Sequence, residues 1–262
     1  MVNNPPKLAT PISHLFGSLE QAEKIMNASD CLECRDHAVK DNYDKQEVFH
    51  CDLQPIQNLG KVEFTYLEQI KLNKKGLKLI SFHLASCYDA PLIKDGKFLP
   101  GGNKLTRANL ISNASKNLTR IKDIFGPDID IAVENNNHYK TEAYDYVTTP
   151  EFISEVVVSN DITFLFDIAH ARVSAVNQEV SFENYIGRLP LDRLIQIHIS
   201  RAGYNINGEI VDKHDRPGEE EIEEVINLLE LYPEVKYLTV EYYRNADELV
   251  HLLNKLKMRI NG

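Results

Sequence analysis

The stretch Thr163–Ala175, TFLFDIAHARVSA, opens as an unbroken run from Thr163 to Phe166, then meets Asp167 and, three residues on, His170. A run with no polar alternation reads as a strand buried on both faces, the pattern of a parallel sheet covered by helices. A strand of that kind has no structural use for a carboxylate and an imidazole at its exit. In a (β/α) barrel the strand exits form the mouth where the chemistry sits.

Outward from this strand the same grammar repeats. KLATPIS, DCLECRDHAV, QEVFHCDLQ, LKLISFHLA and IDIAVEN precede it as strands, and LIQIHIS and KYLTVEYY follow it. Helical spacing fills the intervals: SLEQAEKIMNA, VEFTYLEQIKLNKKG stopped by Gly76, KLTRANLISNASKNLTRIKDIFG stopped by Gly126, TPEFISEVVVS entered through Thr149-Pro150, and the short SFENYIGRL. GEEEIEEVINLLELY has acidic residues in its first turn, and NADELVHLLNKLKM opens on Asn245 as an N-cap. The β-α unit recurs seven or eight times with no linker, and CYDAPLIKDGKFLPGGN and NNNHYKTEAYDYVTTP, which follow strands, read as long βα loops. The expected fold is a (β/α)8 TIM-type barrel with one strand or helix irregular, residues 1–262 forming a single domain. A doubly wound open sheet is the competing arrangement.

A chain of 262 residues suits one such barrel. The net charge of −10 argues against a nucleic-acid partner or a membrane surface. No apolar window is long enough to span a bilayer, and MVNNPPKLATPIS lacks the basic and apolar regions of a secretory leader, so the expected location is cytoplasmic. Cys31 and Cys34 form a C-x-x-C pair with no second pair to complete a zinc site, and with Cys51 and Cys87 they read as reduced, buried thiols.

The strand exits carry His50, His83, Glu134, Asp167 with His170, His198 and Glu241, and the loop after the His198 strand adds Asp212 and His214. One histidine in a strand is commonly a hydrogen-bonded core residue, and one carboxylate commonly caps a helix. The set resists both readings, because carboxylates crowded at one mouth carry desolvation costs of roughly several kcal/mol each. Divalent cations remove that cost and take neutral imidazoles as ligands. Asp167-x-x-His170 spans a strand end and the loop leaving it, so its two ligands serve neighbouring metals. Asp212-x-His214 puts two side chains on one face of an extended segment and, with His170, makes a two-histidine, one-carboxylate face suited to non-haem Fe(II), with zinc and manganese as alternatives.

This ordered set resembles the trinuclear site of the xylose-isomerase-like TIM-barrel superfamily, which includes the endonuclease-IV-like enzymes. By that resemblance Glu134, Asp167, His198 and Glu241 surround a central metal, His50 and His83 hold a second with Glu134 bridging, and His170, Asp212 and His214 hold a third. VENNNHY, FDIAHARVSAVNQ, LPLDRLIQIHIS and GEIVDKHDRPGEEE are most similar to the multinuclear non-haem iron oxidative enzymes, the family that includes the methanobactin maturation enzyme. The resemblance implies two or three iron ions, oxidative modification of a cysteine-containing peptide or thiol substrate, and a separate protein that presents the peptide. HDRPGEEE lacks the Gly-rich turn and basic loop of the endonuclease branch, which counts against a phosphodiesterase. A sugar isomerase or epimerase needs one or two metals, fewer than this ligand set supplies.

Around the ligands, Arg172, Arg201 and Arg216 follow ligand-bearing segments and are candidates to grip a substrate carboxylate. Asn135 is a candidate hydrogen-bond donor behind the ligands, and Tyr139, with Tyr144 and Tyr146, a candidate wall or lid. The metal centre itself is the catalytic group, and no separate catalytic residue is assigned. His14, His37, His138 and His251 read as structural.

Overall fold

A period of two along the strands explains the barrel interior. The computed structural model describes residues 5–262; residues 1–4, part of the expected domain and of the stretch read as leaderless, lie outside the described residues. In chain order the elements are β1 (Lys7–Pro11), α1 (Leu19–Ala28), β2 (Cys31–Cys34), β3 (Gln46–Cys51), α2 (Lys61–Asn73), β4 (Leu79–His83), β5 (Leu92–Lys94), β6 (Lys97–Leu99), α3 (Arg107–Phe125) and β7 (Asp130–Glu134). There follow α4 (Pro150–Ser159), β8 (Thr163–Asp167), α5 (Ile168–Asn177), α6 (Phe182–Ile186), β9 (Leu194–Ile199), β10 (Arg201–Tyr204), β11 (Ile210–Asp215), α7 (Glu219–Leu231), β12 (Tyr237–Val240) and α8 (Ala246–Asn261).

The strands close into one parallel barrel in the order β1-β12-β9-β8-β7-β4-β3-β2. Because β1 pairs with both β2 and β12, the sheet has no edge, and the open-sheet alternative is excluded. One residue from each barrel strand, namely Ala9, Cys31, Val48, Leu79, Ala132, Leu165, Ile195 and Tyr237, meets in a dry apolar layer. Two residues further along, the inward faces turn polar: Glu33 on β2, His50 on β3, Ser81 on β4, Glu134 on β7, Asp167 on β8 and Thr239 on β12. The apolar layer is therefore a floor, and the polar side chains above it reach solvent only through the mouth. Among the described residues no helix is long and apolar enough to cross a membrane.

Three segments depart from expectation. CYDAPLIKDGKFLPGGN contains the antiparallel pair β5–β6, turning on Asp95-Gly96, whose φ values of 51° and 73° are those a tight primed hairpin turn requires. The segment after β9 folds back as the β10–β11 hairpin. DCLECRDHAV stops being a strand at Cys34, and Asp36–Ala38 is a 3-10 turn. All four cysteines are free and buried, as expected.

Candidate metal centre

The exit of β8 shows how local folding aims the ligands. Asp167 is both the last residue of β8 and the N-cap of α5, and its Oδ1 accepts the backbone N–H of His170 at 2.7 Å. That cap fixes the carboxylate rotamer and leaves Oδ2 facing inward. His170 consequently stands in the first turn of a helix, not in the loop the sequence suggested.

Glu134, at the end of β7, is the hub. Its Oε2 lies 2.9 Å from His83 Nδ1 and 3.4 Å from His50 Nε2, and its Oε1 lies 3.2 Å from His198 Nδ1 and 3.7 Å from His170 Nδ1. His198 Nδ1 also faces Glu241 Oε1 at 3.5 Å and Asp167 Oδ2 at 3.9 Å. On β11, Asp212 Oδ2 is 3.3 Å from both His170 Nε2 and His214 Nε2, and His214 Nε2 is 3.1 Å from Glu241 Oε2. All nine expected ligands thus come together at the mouth. Three groups are able to hold an ion: His50, His83 and Glu134; Glu134, Asp167 and His198; and Glu33, His198 and Glu241.

Protein groups orient three of the imidazoles from behind. His50 Nδ1 meets Ser81 Oγ at 2.8 Å, and His170 Nδ1 meets the Asn135 carbonyl at 2.9 Å, so their Nε2 atoms are the ones turned to the cluster. His198 is the reverse, with Nε2 3.0 Å from Glu33 Oε2. The Asn135 side chain also ties β7 to β8, accepting from Asp167 N and donating to Asp167 O, each at 2.9 Å.

The sequence reading missed Glu33 and Arg35. Glu33 is fully buried, and Arg35 pairs with Glu33 Oε1 at 2.7 Å and with Glu241. The signal was a carboxylate in the middle of a buried strand, CLEC, but it ends no apolar run and so escaped a search of strand ends. Asp52 was also missed; it lies at the rim with Oδ1 3.7 Å from His83 Nε2.

The cluster is electrostatically unbalanced as it stands. Burial, reinforced by the Glu134, Glu241 and Asp212 charges, pushes Asp167 up to about 7 against the pull of His170. Burial, with Arg35 and His83, pushes His50 down to about 4. Burial also disfavours charge on His83, but the adjacent Asp52 and Glu134 carboxylates outweigh it and bring His83 up to about 9. His214 also rises to about 9, Glu241 and Asp212 overcoming burial. Meanwhile His50 Nε2, His83 Nδ1, both Glu134 oxygens, Asp167 Oδ2 and His198 Nδ1 are buried without a hydrogen-bond partner. Buried polar atoms are nearly always paired. Orphans that converge on shared points, all imidazole nitrogens or carboxylate oxygens, fit divalent metal ions of the iron, manganese or zinc type.

The other expected site residues divide. Asn135 stands behind the ligands. Tyr139 is buried, edge-on to Tyr144 with ring centroids 5.5 Å apart, and the two form a fixed apolar wall with Val173 and Ile210; Tyr146 is exposed. Arg172 does not reach the site: its guanidinium pairs with Glu224 at 2.8 Å and Glu220 at 3.1 Å on α7 and stacks over Phe182. Arg201 is half-exposed, 3.3 Å from Glu221, and Arg216 is exposed just past β11. Away from the cluster, His14 and His251 are exposed, His37 Nε2 meets the Ile12 carbonyl, and His138 Nδ1 meets Thr148 Oγ1.

Comparison with known proteins adds the following. The model of a family described as RiPP precursor modification enzyme MbnB/TglH/ChrH matches residues 55–258. A UPF0276 protein of Caulobacter vibrioides is 33% identical over 88 residues, covering 33% of this chain and 31% of the relative. A UPF0276 protein of Acinetobacter baylyi is 23% identical over 155 residues, covering 58% and 51%. The chain thus spans about a third to a half of the length of these curated relatives. Among solved structures, the 3-keto-D-glucoside 4-epimerase YcjR of E. coli superposes with a TM-score of 0.63 at 14% identity over 97% of this chain and 99% of that one. A D-psicose 3-epimerase does so with 0.59 at 12% over 98% and 100%. At such identities the likeness is one of fold.

Proposed function

Because the chain belongs to the MbnB/TglH/ChrH family of RiPP precursor modification enzymes, we propose that this metal-dependent TIM-barrel enzyme uses a multinuclear non-haem iron centre to modify a cysteine-containing, ribosomally made peptide oxidatively. The observation that carries the reading is the convergence of orphaned imidazole and carboxylate atoms on Glu134 at the barrel mouth. Glu134, Asp167, His198 and Glu241 would hold a central ion, His50 and His83 a second that shares Glu134, and His170, Asp212 and His214 a third. Iron in this donor set would supply redox chemistry with dioxygen as oxidant, and a substrate thiolate is a donor it would accept.

The chain's own groups do the rest. Ser81, Asn135 and Glu33 hold the imidazoles at fixed angles. The apolar floor excludes water from below, and the Tyr139–Tyr144 wall shields the His170 side. The rim hairpins β5–β6 and β10–β11, joined by Lys97–Glu209 at 2.7 Å, expose Leu92, Ile93, Tyr204 and Ile206. Exposed apolar side chains beside a mouth support docking of a peptide, or of a separate protein that presents it.

The test is metal analysis of protein purified anaerobically without chelators, then Fe(II) reconstitution and exposure to dioxygen with a cysteine-containing peptide encoded beside the gene. Two or three irons per chain and an oxygen-dependent mass change at the cysteine are expected. A single manganese with ketose epimerisation, or zinc with phosphodiester hydrolysis, would sink the reading.

A further inference from the structure

Glu33 lies directly above the apolar floor, level with His50, Glu134 and Asp167 in the barrel interior, with no exposure to solvent. A carboxylate buried this deeply is costly unless every lone pair is used. Here Oε2 faces His198 Nε2 at 3.0 Å, Gln196 Nε2 at 2.6 Å and Thr239 Oγ1 at 3.1 Å, and Oε1, which accepts no hydrogen bond, is compensated by the Arg35 charge, with Nη2 2.7 Å away. The Arg35 guanidinium beside Oε1 supplies the counter-charge for a buried carboxylate at this depth. The imidazole it touches is the one whose other nitrogen, Nδ1, is orphaned and faces Glu134, Glu241 and Asp167 together.

A neutral imidazole has one proton for two nitrogens. An ionised carboxylate only accepts, so it draws that proton to Nε2 and leaves the Nδ1 lone pair for the cluster. Gln196 Nε2, 3.1 Å from the same His198 nitrogen, is the rival: were it the donor there, the proton would sit on Nδ1 and the ligand would be blocked. The carboxylate is the stronger partner, and Gln196 has Glu33 and Thr239 as acceptors for its own hydrogens.

We propose that Glu33 is a positioning residue that fixes His198 with Nε2 protonated and Nδ1 presented to the central metal, and that Arg35, bridging Glu33 and Glu241, keeps Glu33 out of the ligand set. The inference rests on the metal-centre reading above. The sequence offered no route to it, because the pairing joins β2 to β9 across the barrel.

The experiment compares the unsubstituted protein with Glu33→Gln, which keeps shape and removes charge, and Asn117→Ala, which removes two hydrogen bonds from α3 to the Pro55 and Gln57 carbonyls, outside the cluster. Zn(II) serves as a diamagnetic probe: its affinity is measured by competition with a chelating dye, and the His198 tautomer by 15N-histidine NMR of the loaded protein. The unsubstituted protein should show the Nε2–H tautomer. Glu33→Gln should bind the central ion about 10–100-fold more weakly, the usual effect of losing a ligand's hydrogen-bond partner. Asn117→Ala should lose thermal stability and keep its affinity within about 2-fold, since it touches neither a ligand nor a ligand's partner. Glu33→Gln with unchanged affinity and tautomer, or an Nδ1–H tautomer in the unsubstituted protein, overturns the inference alone. An unsubstituted protein that takes up no Zn(II) overturns the metal-centre reading and this inference with it.

Discussion

Asp167 performs two tasks with two oxygens, and substitutions can separate them. Oδ1 caps α5 and Oδ2 points at His198. Asp167→Asn keeps a capping side chain and should fold with near-parental stability while losing the central ion. Asp167→Ala removes the cap as well, at a further cost of about 1 kcal/mol. His170→Ala should lose mainly one ion, the one shared with Asp212 and His214. Metal content per chain and urea denaturation check all three, and full metal content in Asp167→Asn and His170→Ala would defeat the assignment. The nine clustered side chains were readable in the sequence because each ends an apolar run or lies in an extended segment just past one. Glu33 was not, because it sits within such a run and its partner His198 is 165 residues away. Arg172 was misread because its direction depends on the phase of α5, which turns it toward α7.

At the scale of elements, the site depends on how β7 and β8 are held at their exits. Asn135 supplies two buried hydrogen bonds to the backbone of Asp167, and its own carbonyl accepts from His170. Asn135→Ala strands a buried N–H and a buried C=O, so unfolding free energy should fall by about 2–4 kcal/mol. Metal affinity should fall with it. Chemical denaturation of the metal-free protein isolates the first effect, and a loss below about 1 kcal/mol, no more than one ordinary hydrogen bond, would show that the clamp is redundant. Arg172→Met is the contrast: it cuts partly exposed pairs between α5 and α7, so the expected loss is about 1 kcal/mol or less with KM unchanged. A raised KM would return Arg172 to the substrate. The eight-fold alternation was plain in the apolar runs. The rim hairpins were hidden because their strands are three to six residues long and lack a buried apolar face, leaving Asp95-Gly96 as the one clear turn signal for β5–β6.

For the whole molecule, the floor and the cluster above it make stability, metal and pH one linked problem. Closing the barrel buries Glu134, Asp167, Glu241 and their imidazoles whether or not a cation is present. Without metal, His83 and His214 balance these charges by holding protons up to about pH 9. Their folded-state pKa lies above the unfolded value of about 6.5, so this stabilisation is complete below that value and is lost as pH rises through about 9. Asp167, raised to about 7, contributes with the same sign, its share fading as pH climbs from about 4 through 7. Bound metal takes these imidazoles as neutral ligands, so its binding releases protons and is not penalised as they leave. Ligands that bind only the folded state raise Tm by mass action. The Tm gap between Zn(II)-loaded and chelator-treated protein should therefore widen from pH 6 to pH 8.5, chiefly because the metal-free form loses stability. Paired thermal melts across that range measure it. A gap that stays constant or narrows would mean that His83 and His214 do not give up their protons to metal, and would remove them from the ligand set.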